Sequence, residues 1–302
     1  MLSQIKSLIP TPVKHLLKNF VPGLHSLKPR QPVVTPEQWE MWRERGYLVL
    51  PKFFDAKLLN QVSGVVDEFW ATRKTPKNPL VIDIFIGTPN EKRIYFRDAP
   101  DEARNFSYKL NDLFLESALI QETITSPLLC RILGDLLDGD PLVCNSLTFE
   151  RSSQQGFHFD TFYMPPPVEN KMLASWIALE DAHENAGPLE YYPGSHKIPP
   201  YRFSDGRLNQ AVSEMDSFNK YIHSEIERRN LKTEIFPAKA GDVFIWHAQL
   251  YHAGRPIKDM SLTRKSLVTH YFRAVDFPAV HCRKIGHGRY YLNREHQKVK
   301  SS

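Results

Sequence analysis

Val143-Cys144-Asn145-Ser146-Leu147-Thr148-Phe149-Glu150 and Phe157-His158-Phe159-Asp160-Thr161-Phe162-Tyr163 mark the point at which the apolar period of this chain changes to two. Alternation of this kind belongs to strands that bury one face. Working outward, further strands are expected at 172–180, 188–192, 234–237, 242–247 and 265–273, with Gly- and Pro-containing turns between them. One helical insertion, about 207–229, interrupts the series. Short strands punctuated in this way predict a sandwich or barrel, a double-layered antiparallel β core.

Upstream the pattern is mostly helical. Thr35-Pro36-Glu37-Gln38 combines an N-cap, a proline at the first helical position and a glutamine at the third, and Gly46 is placed to end that helix. Tyr47–Leu50 reads as a strand closed by Pro51, and Asp55 caps a second helix reaching Thr72. Short strands are expected at 81–86 and 93–96, and helices at 101–116 and 127–138. The organisation expected is an arm over 1–34, one domain over 35–280 (helical support 35–140, β core 141–280) and a tail over 281–302.

The chain has 302 residues, 41% hydrophobic and 24% charged, enough to bury a core without staples. Three scattered cysteines (Cys130, Cys144, Cys282) provide neither a disulfide framework nor a cysteine-based zinc site. No apolar run approaches the roughly 18 residues of a membrane-spanning helix. The net charge of +5 sits in the first thirty residues, which hold Lys6, Lys14, Lys18, Lys28 and Arg30 and no acid. The rest of the chain is balanced, so no nucleic-acid partner is expected. Leu2, Ile5, Ile9, Val13, Leu16, Leu17 and Phe20 make this arm amphipathic. It reads either as an arm packed on its own domain or a second subunit, or as a peripheral membrane contact through residues 1–24. No signal-peptide pattern is visible, and a cytoplasmic location is expected.

At period two, His158 and Asp160 share a strand face and offer two ligands to a divalent metal. A third ligand is available in Gly241–Gly254, which holds His247 and His252. Two histidines and one carboxylate leave a face of the metal open, as in non-haem Fe(II) oxygenases. Alone, a His-x-Asp pair matches a solvent-facing edge strand equally well. Its company raises the odds: Arg264 follows His252 by twelve residues, and Ser266 can share its strand face. A guanidinium and a hydroxyl there would grip the far carboxylate of a 2-oxo diacid whose other end chelates the metal.

These motifs, in this order, resemble the phytanoyl-CoA dioxygenase family of Fe(II)/2-oxoglutarate oxygenases over about 35–275. The resemblance rests on Thr35–Trp39 through Gly46–Pro51, on His158-Phe159-Asp160, on Trp176–Asp181, on Asn185-Ala186-Gly187-Pro188-Leu189-Glu190-Tyr191-Tyr192-Pro193-Gly194-Ser195-His196-Lys197, and on Gly241-Asp242, His252 and Arg264-Lys265-Ser266. It implies a mainly β fold with flanking helices around a double-stranded β-helix (jelly-roll, cupin-like) core. It also implies Fe(II) on His158, Asp160 and His252, with 2-oxoglutarate and O2 as co-substrates. Arg264 would hold the distal carboxylate with help from Ser266, Trp176 would pack against the co-substrate, and Asn145 would hydrogen-bond it. Pro193-Gly194-Ser195-His196 is expected to be a structural turn, His247 a buried hydrogen-bonded histidine, and His270 a satisfied core histidine in register with Arg264.

The reaction implied is hydroxylation of a small or medium organic molecule with release of succinate and CO2. The Asp160 carboxylate speaks against halogenation, whose enzymes in this family lack it. Segments 80–99 and 200–230 are the expected covers of the metal, the first carrying Lys92, Arg93, Arg97 and Asp98. Thr161, Phe162, Tyr163 and Met164 would form a mixed wall beside it. Two other classes fit the same residues: a catalytically silent jelly roll that binds a ligand or partner, and a zinc hydrolase using the same triad.

Overall fold

The computed structural model describes residues 31–299; the amphipathic arm, with its membrane-contact reading over 1–24, lies outside the described residues. The helices are α1 (Pro36–Arg45), α2 (Ala56–Thr72), α3 (Ala118–Ile124), α4 (Pro127–Leu137) and α5 (Met215–Arg228). The strands are β1 (Tyr47–Leu50), β2 (Val81–Ile84), β3 (Lys92–Tyr95), β4 (Lys109–Asn111), β5 (Pro141–Phe149), β6 (Met172–Ala178), β7 (Leu189–Tyr191), β8 (Glu234–Ile235), β9 (Val243–His247), β10 (His252–Gly254), β11 (Ser266–Arg273), β12 (Cys282–Gly286) and β13 (Arg289–Leu292).

The major sheet runs β1-β9-β6-β11-β5-β4-β2-β3, and β13 adds in parallel beside β5 with β12 paired to it. The minor sheet is β10-β7-β8. Period-two alternation sorts each long strand between two cores. On β11, Leu267 and Tyr271 face a core shared with Val62, Val66 and Trp70 of α2 and Leu129 and Leu133 of α4. Val268, with Trp176 and Phe244, faces Leu189, Tyr191 and Leu250 on the minor-sheet side. Helices α1–α4 thus cover the outer face of the major sheet, and the space between the sheets is left for the site. This is the mainly β, jelly-roll architecture expected from the sequence.

One irregularity matters. The β11–β5 register shifts between His270 and Tyr271, so that His270 pairs with Asn145 while Tyr271 pairs with Val143. The skipped residue, Cys144, is a bulge. Strict alternation would put Val143 and Asn145 on one face. The bulge lets Val143 join the helix-covered core while Asn145 turns inward.

Local signals held at the start of the domain. Thr35 and Gln38 form the reciprocal capping box, and Gly46, at φ 80°, donates its N–H to Trp42 O. A Cβ on Gly46 would meet the His196 ring at 2.4 Å, so glycine is required there on both counts.

Several expectations are corrected. Residues 157–163 are not a strand: His158 makes a single antiparallel bridge to His252, and Asp160–Phe162 is a 3-10 turn. Its alternating Phe159 and Phe162 pack on Phe218 of α5 rather than across a sheet. Residues 101–116 are not a helix but two 3-10 turns flanking β4. There Leu110 and Asn111 pair with β5, and Asp112 takes a left-handed conformation (φ 58°) that ends any helix. Within 207–229 only Met215–Arg228 is α-helical. The region read as helical support contributes four strands to the major sheet, and the stretch from 281 read as a tail supplies β12 and β13. No helix among the described residues is long and apolar enough to cross a membrane.

Candidate active site

His158 and His252 meet because their backbones pair. His158 N–H donates to His252 O at 3.0 Å, and His252 N–H donates to His158 O at 3.2 Å. Each ring is then fixed by its own neighbour: His158 Nδ1 lies 2.8 Å from Gly156 O, and His252 Nδ1 lies 2.9 Å from Leu250 O. Those carbonyls accept from Nδ1–H, which leaves both Nε2 lone pairs free to ligate a metal. The Pro193–His196 turn supports this hairpin, since buried Ser195 Oγ accepts the Tyr251 N–H at 2.8 Å, one residue before His252.

Asp160 enters from the first turn after His158, its N–H bonded to Ala248 O. Its Oδ2 accepts the Trp246 indole N–H at 2.8 Å. Its Oδ1 faces the Nε2 atoms of His158 at 3.8 Å, His252 at 3.7 Å and His270 at 3.4 Å. His158, Asp160 and His252 are all buried, and their ligand atoms lie within 4.8 Å of one another. Burial opposes charge on Asp160, yet the imidazoles of His270 and His252 hold its carboxyl below the usual range. Burial, reinforced by His252, pushes His158 down to about 3, so its ring is neutral and ready to ligate. Two imidazoles and a carboxylate on one side of a cavity suit Fe(II).

The triad opens into a cavity of about 390 Å3 between the sheets. His158, Asp160, His252, Asn145, Trp176 and Arg264 all line it. Arg264 is buried and stacks over Trp176, with Cζ 5.5 Å from the ring centroid. Its Nε and Nη1 have no partner among the described residues, and burial lowers its pKa to about 10. Ser266 Oγ and Trp176 Nε1 are likewise buried without a partner. Buried polar groups are normally satisfied, so partnerless ones clustered at a cavity mark a place made for a ligand. Ser266 sits beside this end but is not on the cavity wall.

Three expectations need adjusting. His270, read as a satisfied core histidine, bonds Asn145 Oδ1 through Nδ1 at 2.7 Å but also lines the cavity and approaches Asp160. The Cys144 bulge that turns Asn145 toward it left no mark in the sequence pattern. Of the charged residues on 80–99, Arg93 reaches the cavity, whereas Arg97 is turned to Asn78 O and Tyr95. Nothing from 200–230 lines the cavity; Phe218 and Ile222 of α5 instead pack behind Phe159 and Phe162. His247 is a buried, neutral histidine as expected, its Nδ1 accepting from Gln249 N–H and its ring packed on Trp42 and His196. Trp246, Lys109, Asn111 and Gln297 were not singled out from the sequence, and only Trp246, one residue before His247, stood inside a motif that was.

Comparison with known proteins agrees with this geometry. Among solved structures, the chain is similar to the non-haem alpha-ketoglutarate-dependent carbocyclase SnoK from nogalamycin biosynthesis (TM-score 0.60, 17% identity, 81% of this chain and 88% of that one). It is also similar to EctD from S. alaskensis with 2-oxoglutarate and 5-hydroxyectoine (TM-score 0.58, 16% identity, 92% and 90% covered). In sequence it is 22% identical over 247 residues to the phytanoyl-CoA dioxygenase domain-containing protein 1 of Rattus norvegicus, covering 72% of this chain and 84% of that protein. The model of the phytanoyl-CoA dioxygenase family matches residues 42–265, a span that holds the triad, Trp176 and Arg264. By that match, over most of its length, the chain belongs to the phytanoyl-CoA dioxygenase (PhyH) family.

Proposed function

We propose that this chain is a non-haem iron, 2-oxoglutarate-dependent dioxygenase that hydroxylates a C–H bond of a small or medium organic molecule, releasing succinate and CO2. His158, Asp160 and His252 would hold Fe(II), and Arg264, assisted by Ser266, would hold the distal carboxylate of 2-oxoglutarate. Iron with bound co-substrate supplies, on reaction with O2, the oxidising power that no side chain has. The chain's own residues orient and exclude. Gly156 and Leu250 carbonyls keep both imidazoles in the ligating tautomer. The Trp246 N–H holds Asp160 Oδ2, which leaves Oδ1 as the ligand. Trp176 forms the wall against which the co-substrate would lie, and Asn145, fixed by His270, is the nearby hydrogen-bonding amide.

The observation that carries this reading is buried Arg264, whose Nε and Nη1 have no partner among the described residues, in the same cavity as the triad. A zinc hydrolase or a silent barrel gives that guanidinium nothing to do, and an unpaired buried charge is costly to keep. Solved structures of this fold include a carbocyclase and an epimerase. Hydroxylation is therefore recognised by a product that has gained one oxygen atom.

The test is anaerobic titration of the Fe(II)-loaded chain with 2-oxoglutarate, followed by the visible metal-to-ligand charge-transfer band. The band is expected in the native chain and lost in Asp160→Ala, which removes the only carboxylate ligand. Absence of the band in well-folded native protein would sink the oxygenase reading.

A further inference from the structure

The mouth of the cavity is lined by Arg93, Lys109 and Gln297, which keep part of their exposure, with buried Asn111 beside them on β4. Arg93 comes from β3, Lys109 and Asn111 from β4, and Gln297 from the segment after β13, beyond the stretch matched by the family model. The Arg93 guanidinium is held rigidly. Its Nε and Nη2 donate to Asp83 at 2.6 and 2.9 Å, and its Nη1 donates to Gln297 Oε1 at 2.9 Å. The Lys109 ammonium lies 3.3 Å from the same Asp83 carboxylate. One acid therefore serves two cations. It lies buried behind them and does not line the cavity, while the Arg93 and Lys109 side chains keep 40% and 28% of their exposure.

The charge on the wall can be followed group by group. Among the described residues, Asp160 is the only carboxylate lining the cavity. In the reading above it is taken by the metal, and Arg264 by the co-substrate. Arg93 and Lys109 are left with Asp83 between them, a net positive charge facing enclosed space. Each keeps N–H donors that Asp83 and Gln297 do not use. Fixed donors on a low-dielectric wall concentrate field into the cavity and select for an anion. Tyr163 and Met164 also line the cavity and supply a largely apolar surface for the rest of a compact molecule.

We infer that the substrate of this site carries an anionic group, a carboxylate or a phosphate ester, which docks on Arg93 and Lys109 with Asn111 and Gln297 beside them. This rests on the oxygenase reading for the word substrate, but the anion subsite itself stands on the residues of the mouth.

Inorganic phosphate and hexanoate are the probes, with hexanamide as the neutral counterpart of hexanoate. Each is titrated anaerobically and calorimetrically into the full chain loaded with Fe(II) and saturated with 2-oxoglutarate, at low and high salt. At least one anion is expected to bind at least about tenfold more tightly than hexanamide, and more weakly at high salt. Lys109→Gln is expected to weaken it about tenfold, and Lys109→Arg, which keeps the charge, to restore it. Preference for phosphate points to a phosphorylated substrate and preference for hexanoate to a carboxylic acid. The inference is overturned if neither anion binds, or if hexanoate and hexanamide bind alike. It is equally overturned if Lys109→Gln and Lys109→Arg behave alike, or if the anions act by displacing 2-oxoglutarate. Should the native chain give no charge-transfer band, the oxygenase reading fails by itself. The same titrations on the metal-free chain then decide the anion subsite alone.

Discussion

The two ends of the cavity handle positive charge in opposite ways. At the inner end Arg264 is buried with no ion-pair partner among the described residues, beside a Trp176 N–H and a Ser266 hydroxyl that also lack partners there. At the mouth every charge is engaged: Arg93 and Lys109 share Asp83, Gln297 links Arg93 to Asp112, and Asp112 pairs with Arg294 at 3.0 Å. A dry, unpaired guanidinium is tolerable only if a ligand of opposite charge regularly completes it. A paired network needs no ligand to complete it. On the proposed reading the inner end would serve one fixed co-substrate, and the mouth would be where specificity can change.

Arg264→Met is the sharpest way to break that contrast. It should weaken 2-oxoglutarate binding by about a hundredfold or more. It should also raise the thermal stability of the ligand-free protein, because a buried, unpaired charge is replaced by an apolar chain of similar length. A lower melting temperature would mean that Arg264 is satisfied in the folded chain and that the contrast is false. Next in size is Trp246→Phe, which deletes the N–H that holds Asp160 Oδ2. Metal affinity should fall by about 10–100-fold, read by competition with a chelator, with little loss of fold.

His247 sharpens the distinction from another side, as a buried group that is satisfied and neutral. Burial, helped by His196, lowers its pKa from 6.5 to about 3. The unfolded chain takes up a proton on this ring below about pH 6.5 and the folded chain does not, so stability falls as pH drops toward 3. The slope is about 1.4 kcal/mol per pH unit for this one group. His247→Gln should flatten the acid limb of a denaturation series measured across that range; an unchanged limb would remove His247 from the account. The smallest effect is expected at the mouth. Arg294→Ala removes a half-exposed partner from Asp112, which keeps the Ser146 N–H and Gln297. A loss of about 1–2 kcal/mol in chemical denaturation is expected, with 2-oxoglutarate binding retained.

How much of this was legible follows the same division. The inner end lies on β5, β6 and β11 and on the residues just before β11; alternation pairs Trp176 with Val268, and the same spacing carried back past Ser266 points to Arg264, so residue spacing was informative. The His158–Asp160 pair was found for a partly mistaken reason. The two share the site through one backbone bridge and a 3-10 turn, not through strand period. His270 and Asn145 depended on a bulge at Cys144 that no pattern of apolar residues announces. Of the mouth only Arg93 was legible; Lys109, Asn111 and Gln297 join it because β3, β4 and the segment after β13 are brought together only by sheet order.

The sequence by itself determined the β-rich fold class, the capped helix that opens the domain, the candidate triad His158, Asp160 and His252, and Arg264 in the same cavity. Each of these is set by local period, by short-range hydrogen bonding or by motif spacing. Tertiary structure alone decided which imidazole nitrogens face the metal site, that Trp246 and His270 hold Asp160 and Asn145, that α5 buttresses the site rather than covering it, and that Arg93, Lys109 and Gln297 form one mouth. Those depend on contacts between residues far apart in the chain, and their partners are set by packing and register, which no local pattern encodes.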